Sequence, residues 1–521
     1  MMPTEIELKL RLPPAGIARL QRNPLLKSLS ISHPVTQKLY SIYYDTPDLD
    51  LRRNDIAFRL RRQGKRWVQT VKGEGSVTAG LHQRYEFEVP VLKAQPDFTK
   101  ISSSHLAKLF DIRMLRERLC PVFTTEFTRS ARTLRLAGGS EVEFCLDRGE
   151  ITAGSASVPL CEIELELKAG SRLSLFQLAL DLLHGVPGSV PLRLESLSKA
   201  ERGYTLASGV KSPPSKAVPV PMAAGMSIND AFKAIAWNCL NHLHSNEAGM
   251  LERGDIEYLH QMRVALRRER SALSIFSRAF SKAAFAEMSK ELKWLAGQFG
   301  PARDWDVFVT ETVAPVCAAF PQHQNMLALR ERCEEIRQKH DDEACRAVDS
   351  RHYTELMLKL GAWLSAESWL VAEDSTPAGH RAGRGSGVSI MEFAGVLLTH
   401  RHKQLKKHGK KLDSLDAPQL HALRIIAKKQ RYAAEFFAGL YPQKEARRYI
   451  QSLSRLQDVL GVMNDVVVVE KLLGELPFEE NQDGEREASG IIRGWSASLA
   501  LTKKQELSGM WKDFDKNHPF W

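Results

Sequence analysis

The segment Glu5-Ile6-Glu7-Leu8-Lys9-Leu10-Arg11 alternates charged and apolar residues with period two. As a β-strand it sets Glu5, Glu7, Lys9 and Arg11 on one face and Ile6, Leu8 and Leu10 on the other. Two carboxylates at that spacing can hold a divalent cation, and the cations after them can hold an anion. That combination points to a metal–phosphate site. The pattern recurs downstream. Arg59 and Arg61 share a face, and Lys72 shares one with Thr70 and Val68. Arg84, Glu86 and Glu88 alternate with Tyr85 and Phe87, and Glu141, Glu143 and Asp147 with Val142, Phe144 and Leu146. Glu162, Glu164, Glu166 and Lys168 alternate with Ile163, Leu165 and Leu167.

One such strand in isolation reads as a sheet with a solvated face. Repetition in nearly every strand, each with an apolar face that helices could cover, argues for something else. Closing the sheet turns the charged faces inward and makes a polar lumen. Guanidinium forks there match phosphate oxygens, and the carboxylates suit magnesium or manganese, which take oxygen ligands. No Ser-His-Asp or Cys-His arrangement is called for, and no GxxxxGK[ST] loop is present.

A second constellation lies in the C-terminal half. His260, Arg263, Arg267 and Arg270 fall at i, i+3, i+7 and i+10, a narrow stripe on one helix. His421, Arg424, Lys428 and Arg431 repeat that spacing 161 residues later. Gly300 and Asp304 in GPARD match Gly461 and Asp465 in GVMND at the same offset, which implies a duplicated helical unit with pseudo-twofold symmetry. A charged stripe is ordinarily solvated, but duplication of residue type and spacing favours an anion groove. Residues 226–521 carry 41 Lys and Arg against 39 Asp and Glu, whereas 401–431 alone carry ten against two. The positive charge is therefore focused.

The elements that must position these residues divide the chain. Its 521 residues, 43% hydrophobic and 26% charged, suit a multidomain soluble protein of mixed α and β class. Strands are expected at 4–12, 39–45, 56–63, 66–73, 82–92, 122–136, 141–148 and 160–168, with helices near 14–29, 103–118 and 172–184. Residues 207–225, with four prolines, read as a linker. From 226 the pattern is helical to about 515, in repeats of about 226–373 and 389–515, with a loop at 374–388. The expected architecture is an N-terminal closed antiparallel barrel with flanking helices over 1–206, then an all-α bundle of two pseudo-symmetric repeats. The net charge of +11 favours anionic partners. No apolar run approaches a membrane span. Seven cysteines without a CxxC pair and a start without a signal peptide suggest reduced thiols and a cytoplasmic location.

The N-terminal half resembles the CYTH family, the triphosphate tunnel metalloenzymes, and among them the bacterial inorganic triphosphatases. The resemblance rests on ExExK at 5–9, IYYDTPD at 42–48, FRLR at 58–61, TVKG at 70–73, GLHQRYEFEV at 80–89, the Asp147 strand, EIELELK at 162–168 and SLSKAERGY at 196–204. It implies that Glu5, Glu7, Asp147, Glu162 and Glu164 bind divalent metal, magnesium or manganese. It implies that Lys9, Arg59, Arg61, Lys72, Arg84, Arg129 and Lys199 grip a triphosphate, with Arg118 and Arg202 as further contacts. Glu86 would orient those cations or a metal-bound water, while Glu88, Glu143 and Glu166 balance charge. The implied reaction is metal-assisted hydrolysis of inorganic triphosphate to pyrophosphate and orthophosphate.

The C-terminal half resembles the CHAD domain in HQMRVALRR at 260–268 with GPARDWD at 300–306, and in HALRIIAKK at 421–429 with GVMND. That resemblance implies polyphosphate binding by His260, Arg263, Arg267, Arg270, His421, Arg424, Lys428 and Arg431. The second repeat departs in using lysines for arginines and Asn464 for Arg303. A class IV adenylyl cyclase, a thiamine or nucleoside triphosphatase and a non-catalytic polyphosphate scaffold stay open. Nucleic acid is disfavoured, because aromatics for base stacking are sparse among the cations of 400–431.

Overall fold

In the computed structural model, residues 4–78, 80–101, 110, 113–185, 191–370, 388–410, 412–476 and 483–521 are described. All but the last residue of the expected loop at 374–388 and most of the expected helix at 103–118 lie outside them. The chain divides into two compact units, 1–213 with 349–367, and 214–348 with 368–521.

The first unit is built on β1 (Thr4–Arg11), β2 (Val35–Asp45), β3 (Ala57–Gln63), β4 (Arg66–Thr78), β5 (Leu81–Val91), β6 (Cys120–Arg135), β7 (Glu141–Ala153), β8 (Ala156–Ala169) and the short β9 (Arg193–Leu194). The pairing order β5-β4-β3-β2-β6-β7-β8-β1 returns to β5, so eight antiparallel strands close into a barrel. β1 closes it by pairing its N-terminal half with β5 and its C-terminal half with β8. β9, which the alternation rule could not find at two residues, extends the β1 edge at Leu10 and Arg11. β7 and β8 run longer than their charged segments, through a tight turn in which Gly154 takes φ +57°.

Counting helices of ten residues or more, α1 (Leu173–Gly185) and α2 (Lys199–Ser208) belong to this unit. The α2 N-terminus is fixed by a capping box between Ser198 and Glu201. α2 packs onto β6 and β7, and Ala200 and Tyr204 join Tyr43, Phe123, Phe127, Ile151 and Leu160 in an apolar core. Gly203 permits this approach, since a Cβ there would meet the Phe123 ring at 2.0 Å. Phe127 shares the Arg129 side of β6, so apolar packing fills part of the lumen and leaves the rest polar.

The second unit holds α3 (Ile228–His244), α4 (Glu257–Phe276), α5 (Lys282–Val307), α6 (Gln324–Val348), then α8 (Ile390–Gly409), α9 (Ala417–Phe437), α10 (Gln443–Glu475) and α11 (Asp483–Asp515). The repeats correspond: α3–α6 and α8–α11, with α3 and α8 N-capped alike by Ser227 and Ser389. α4 packs against α9. Trp305, Val313, Leu329 and Cys333 of the first repeat share a core with Leu473, Ala488 and Ile492 of the second. The intervening α7 (Arg351–Ala366), expected within the first repeat, folds instead in the first unit. It packs on α1, with Gly361 against Phe176 and His184 3.4 Å from Glu355. All seven cysteines are free, and no described helix is long and apolar enough to cross a membrane.

Candidate active site and basic groove

Strand pairing puts the predicted charges on one surface. Arg129 of β6 stands opposite Asp147 of β7, which stands opposite Glu162 of β8. Glu164 is opposite Lys9, Lys72 opposite Glu86, and Glu5 opposite Arg84. Paired residues share a face, so the register turns all of them toward the lumen. A cavity of about 290 Å³ there is lined by Glu5, Glu7, Lys9, Arg59, Arg61, Lys72, Arg84, Glu86, Arg129, Glu164 and Lys199, among others.

The charges sort into two groups. In the first, one carboxylate oxygen from each of Asp147, Glu162 and Glu164 lies within 4.8 Å of the others. Asp147 and Glu162 are wholly buried and do not line the cavity, while Glu164 does. Lys199 bridges the trio, 2.7 Å from Asp147 and 2.9 Å from Glu164, and also pairs with Glu162. Arg129 holds Asp147 through two bonds of 2.8 and 2.7 Å and reaches Glu164. Lys9 joins Glu164 to Glu7, the latter at 2.8 Å. Burial opposes the charges of Lys9, Arg129, Asp147, Glu162, Glu164 and Lys199, yet pairing overrides it at all of these but Glu162. Glu164 is held well below the usual carboxylate range by Lys199, Lys9 and Arg129, and Asp147 is held below it by Lys199 and Arg129. Glu162 is the exception: burial and its two acidic neighbours raise it.

In the second group, Lys72 lies 2.7 Å from Glu5 and 3.1 Å from Glu86. Arg59 lies 3.4 Å from both Glu86 and Glu88. Glu86 thus aligns two cations. Arg84 donates to Ser198 and Glu201, at 3.5 and 3.3 Å. Arg61 differs from the rest. It is buried, its Nε donates to Ser41 Oγ at 3.0 Å, and among the described residues no carboxylate pairs with it. Burial first, then Arg59 and Arg129, push it down to about 10.

Not every predicted residue converges. Arg118 is exposed and pairs with Asp48 and Asp50, away from the cavity lining. Arg202 also lies off the lining, holding Glu162 at 3.2 Å and the Pro159 carbonyl at 2.7 Å. Among the predicted metal ligands, Glu5 belongs with Lys72 and Glu86, apart from the acidic trio. Other lining groups escaped the sequence reading. Gln37 and Tyr43 on β2, Gln63 on β3 and His82 on β5 all face the cavity. The only signal for the β2 pair was period-two spacing without charge, which apolar strands share.

In the second unit, the Arg263 guanidinium passes over Gly300 and donates to the Phe299 carbonyl at 2.9 Å, with Asp304 3.7 Å away. Arg424 passes over Gly461 in the same way and faces Asp465. The duplicated glycine and aspartate thus act as a seat and a stop for one arginine in each repeat. α4 packs on α9, and Arg267 lies within electrostatic reach of Arg424 and Lys428, so the two stripes come together. His260 sits beside Arg303 and Arg263, and burial followed by Arg303 pushes it down to about 4. His421 bonds Asn464. Two members stand apart: Arg270 is exposed, and Arg431 is engaged by Glu435 at 2.6 Å and Gln457 at 3.0 Å.

Comparison with known proteins agrees with both halves. The CYTH domain model matches residues 3–204 and the CHAD domain model residues 234–474. A Haemophilus influenzae inorganic triphosphatase is 34% identical over 212 residues, 40% of this chain and 56% of its own length, so the chain matches only about half of that relative. An uncharacterised Mycobacterium tuberculosis protein is 26% identical along 96% of this chain and 92% of its own. The crystal structure of the CHAD domain from the plant Ricinus communis is 32% identical and superposes with a TM-score of 0.50, over 59% of this chain and 98% of that one. The chain is therefore a two-domain protein whose residues 3–204 belong to the CYTH family and whose residues 234–474 belong to the CHAD family.

Proposed function

We propose that the barrel hydrolyses inorganic triphosphate to pyrophosphate and orthophosphate with a divalent metal, and that the helical groove binds polyphosphate. One observation carries the first part: Arg61 is a buried lumenal cation that no carboxylate pairs with among the described residues, set in a wall of cations that faces an acidic trio. Burying an unpaired guanidinium is unfavourable unless an anion completes it. The relative named an inorganic triphosphatase supports the same substrate class.

Arg59, Arg61, Lys72 and Arg84 hold phosphoryl oxygens, with Lys72 and Arg59 aligned by Glu86. Lys9, Arg129 and Lys199 neutralise charge that develops on the leaving pyrophosphate. Water adds to the terminal phosphorus as the bridging P–O bond breaks. The carboxylates of Asp147, Glu162 and Glu164 fit magnesium or manganese, since they offer crowded oxygen donors alone. Bound there, the ion would polarise a phosphoryl oxygen as a Lewis acid. In the groove, Arg267, Arg424 and Lys428 have one facing carboxylate, Asp465, and no ion pair among the described residues, and phosphate oxygens would supply the missing charge.

The test is phosphate release by the purified protein from inorganic triphosphate, ATP and thiamine triphosphate, with and without magnesium. Magnesium-dependent preference for inorganic triphosphate is expected. A cyclic product from ATP would move the assignment to a cyclase, and no turnover would leave a polyphosphate-binding scaffold.

A further inference from the structure

We infer that polyanion binding in the groove is coupled to proton uptake at Lys428, so that the groove grips its ligand harder as pH falls. The inference rests on the polyphosphate reading of the groove.

Lys428 lies one turn after Arg424 and nearly one before Arg431 on α9, and its side chain is half-buried. The charged groups that face it are Arg424 and Arg431 from its own helix, Arg267 from α4 and Asp465 from α10. Arg431 has its own partner in Glu435. Arg267, Arg424 and Lys428 make no ion pair and no side-chain hydrogen bond among the described residues, and the Nε atoms of both arginines are buried without a partner. Cations from two repeats thus converge on a half-buried spot with one carboxylate between them.

Such a cluster relieves itself by losing a proton where it can. A guanidinium cannot do so in this pH range, whereas an ammonium can. Burial, then Arg424, Arg267 and Arg431, push the Lys428 ammonium down to about 7. The repeats differ at this very place, for the first carries Arg267 where the second carries Lys428. The titrating group is therefore one of the points at which the two repeats differ. A bound polyphosphate supplies the missing negative charge and restores the ammonium, which draws one proton from solvent. His260 lies lower, at about 4, outside the neutral window.

The experiment is titration calorimetry of the full chain with long-chain polyphosphate near neutral pH, in two buffers of different ionisation enthalpy, with affinities followed from pH 6 to 8. For the native protein the heat should depend on the buffer, and affinity should fall about tenfold across that range. Lys428→Arg should keep binding while the uptake disappears and the profile flattens. The ligand's own terminal phosphates titrate identically with both proteins, so the difference belongs to Lys428. A buffer-independent heat in the native protein, or unchanged uptake in Lys428→Arg, would overturn the coupling and leave the groove standing. Absence of binding at pH 6 would overturn both.

Discussion

The lumen and the groove are both lined with cations, but they treat unliganded charge in opposite ways. In the barrel nearly every cation is already answered: Lys9 by Glu7, Lys72 by Glu5, Lys199 and Arg129 by the acidic trio. Only Arg61 among the lumenal arginines and lysines discussed lacks a carboxylate. In the groove three neighbouring cations share the single carboxylate of Asp465 and make no ion pair among the described residues. A neutralised site is stable when empty and makes its ligand exchange partners, which rewards a match in geometry. An unneutralised site stores repulsion and attracts any polyanion, with strong dependence on salt. Catalysis of one bond needs the first arrangement, and holding a chain of repeating charge needs only the second.

The contrast breaks most sharply at Glu164. Glu164→Gln removes the one carboxylate shared by Lys9, Lys199 and Arg129, and metal-dependent triphosphate hydrolysis should fall by about a hundredfold or more. Polyphosphate binding by the same protein should be unchanged. Activity that survives the substitution would displace the trio as the metal site. A second comparison sits inside the lumen. Arg129→Met removes the two-bond partner of Asp147 and leaves Asp147 and Glu164 to Lys199 and Lys9, so it should cost up to about 3 kcal/mol of stability. Arg61→Met strands nothing: hydrolysis should weaken through a raised KM while thermal stability rises. Equal destabilisation by the two would mean that Arg61 has a structural partner after all. In the groove, Arg263→Ala with Arg424→Ala should weaken polyphosphate binding by about tenfold or more and spare triphosphate turnover. This is best measured on the full chain, because a 1–206 fragment would lack α7 and bare the α1 face that it covers.

The alternation of charge found the barrel because a strand's two faces are written in period two, and closure follows once every strand has a charged side. The 161-residue offset found both stripes and their Gly–Asp seats. What escaped was direction and partner. Arg118 has the right charge on a short helix, but nothing local tells whether such a residue turns inward. The apolar face of α7 shows that it packs, not on what, so it read as one more helix of its repeat. Gln37 and Tyr43 line the lumen without charge, and neutral alternation has no sign to follow. Asp147 and Glu162 carried the right chemistry, but their burial under Lys199 and Arg202 comes from a helix packed on from elsewhere in the chain, which no strand pattern reveals.

A pH-dependent contrast sits at Glu269, where the repeats again differ by one atom's chemistry. Its counterpart 161 residues on is Gln430, whose amide donates to Tyr449 at 3.0 Å in the second repeat's core. Glu269 is 4% exposed, and burial pushes its carboxyl up to about 8 against the pull of Cys239 and Arg268. The folded chain therefore binds a proton that the unfolded chain has released above its ordinary value of 4.5. Stability from this group is present at low pH and is lost as pH rises from that value through about 8. Glu269→Gln supplies the neutral isostere that the second repeat already uses. Its melting temperature should match the native protein near pH 5 and exceed it near pH 8.5. A native-minus-variant difference that stays constant across that range would show Glu269 to be ionised in the fold, with a counter-charge holding it.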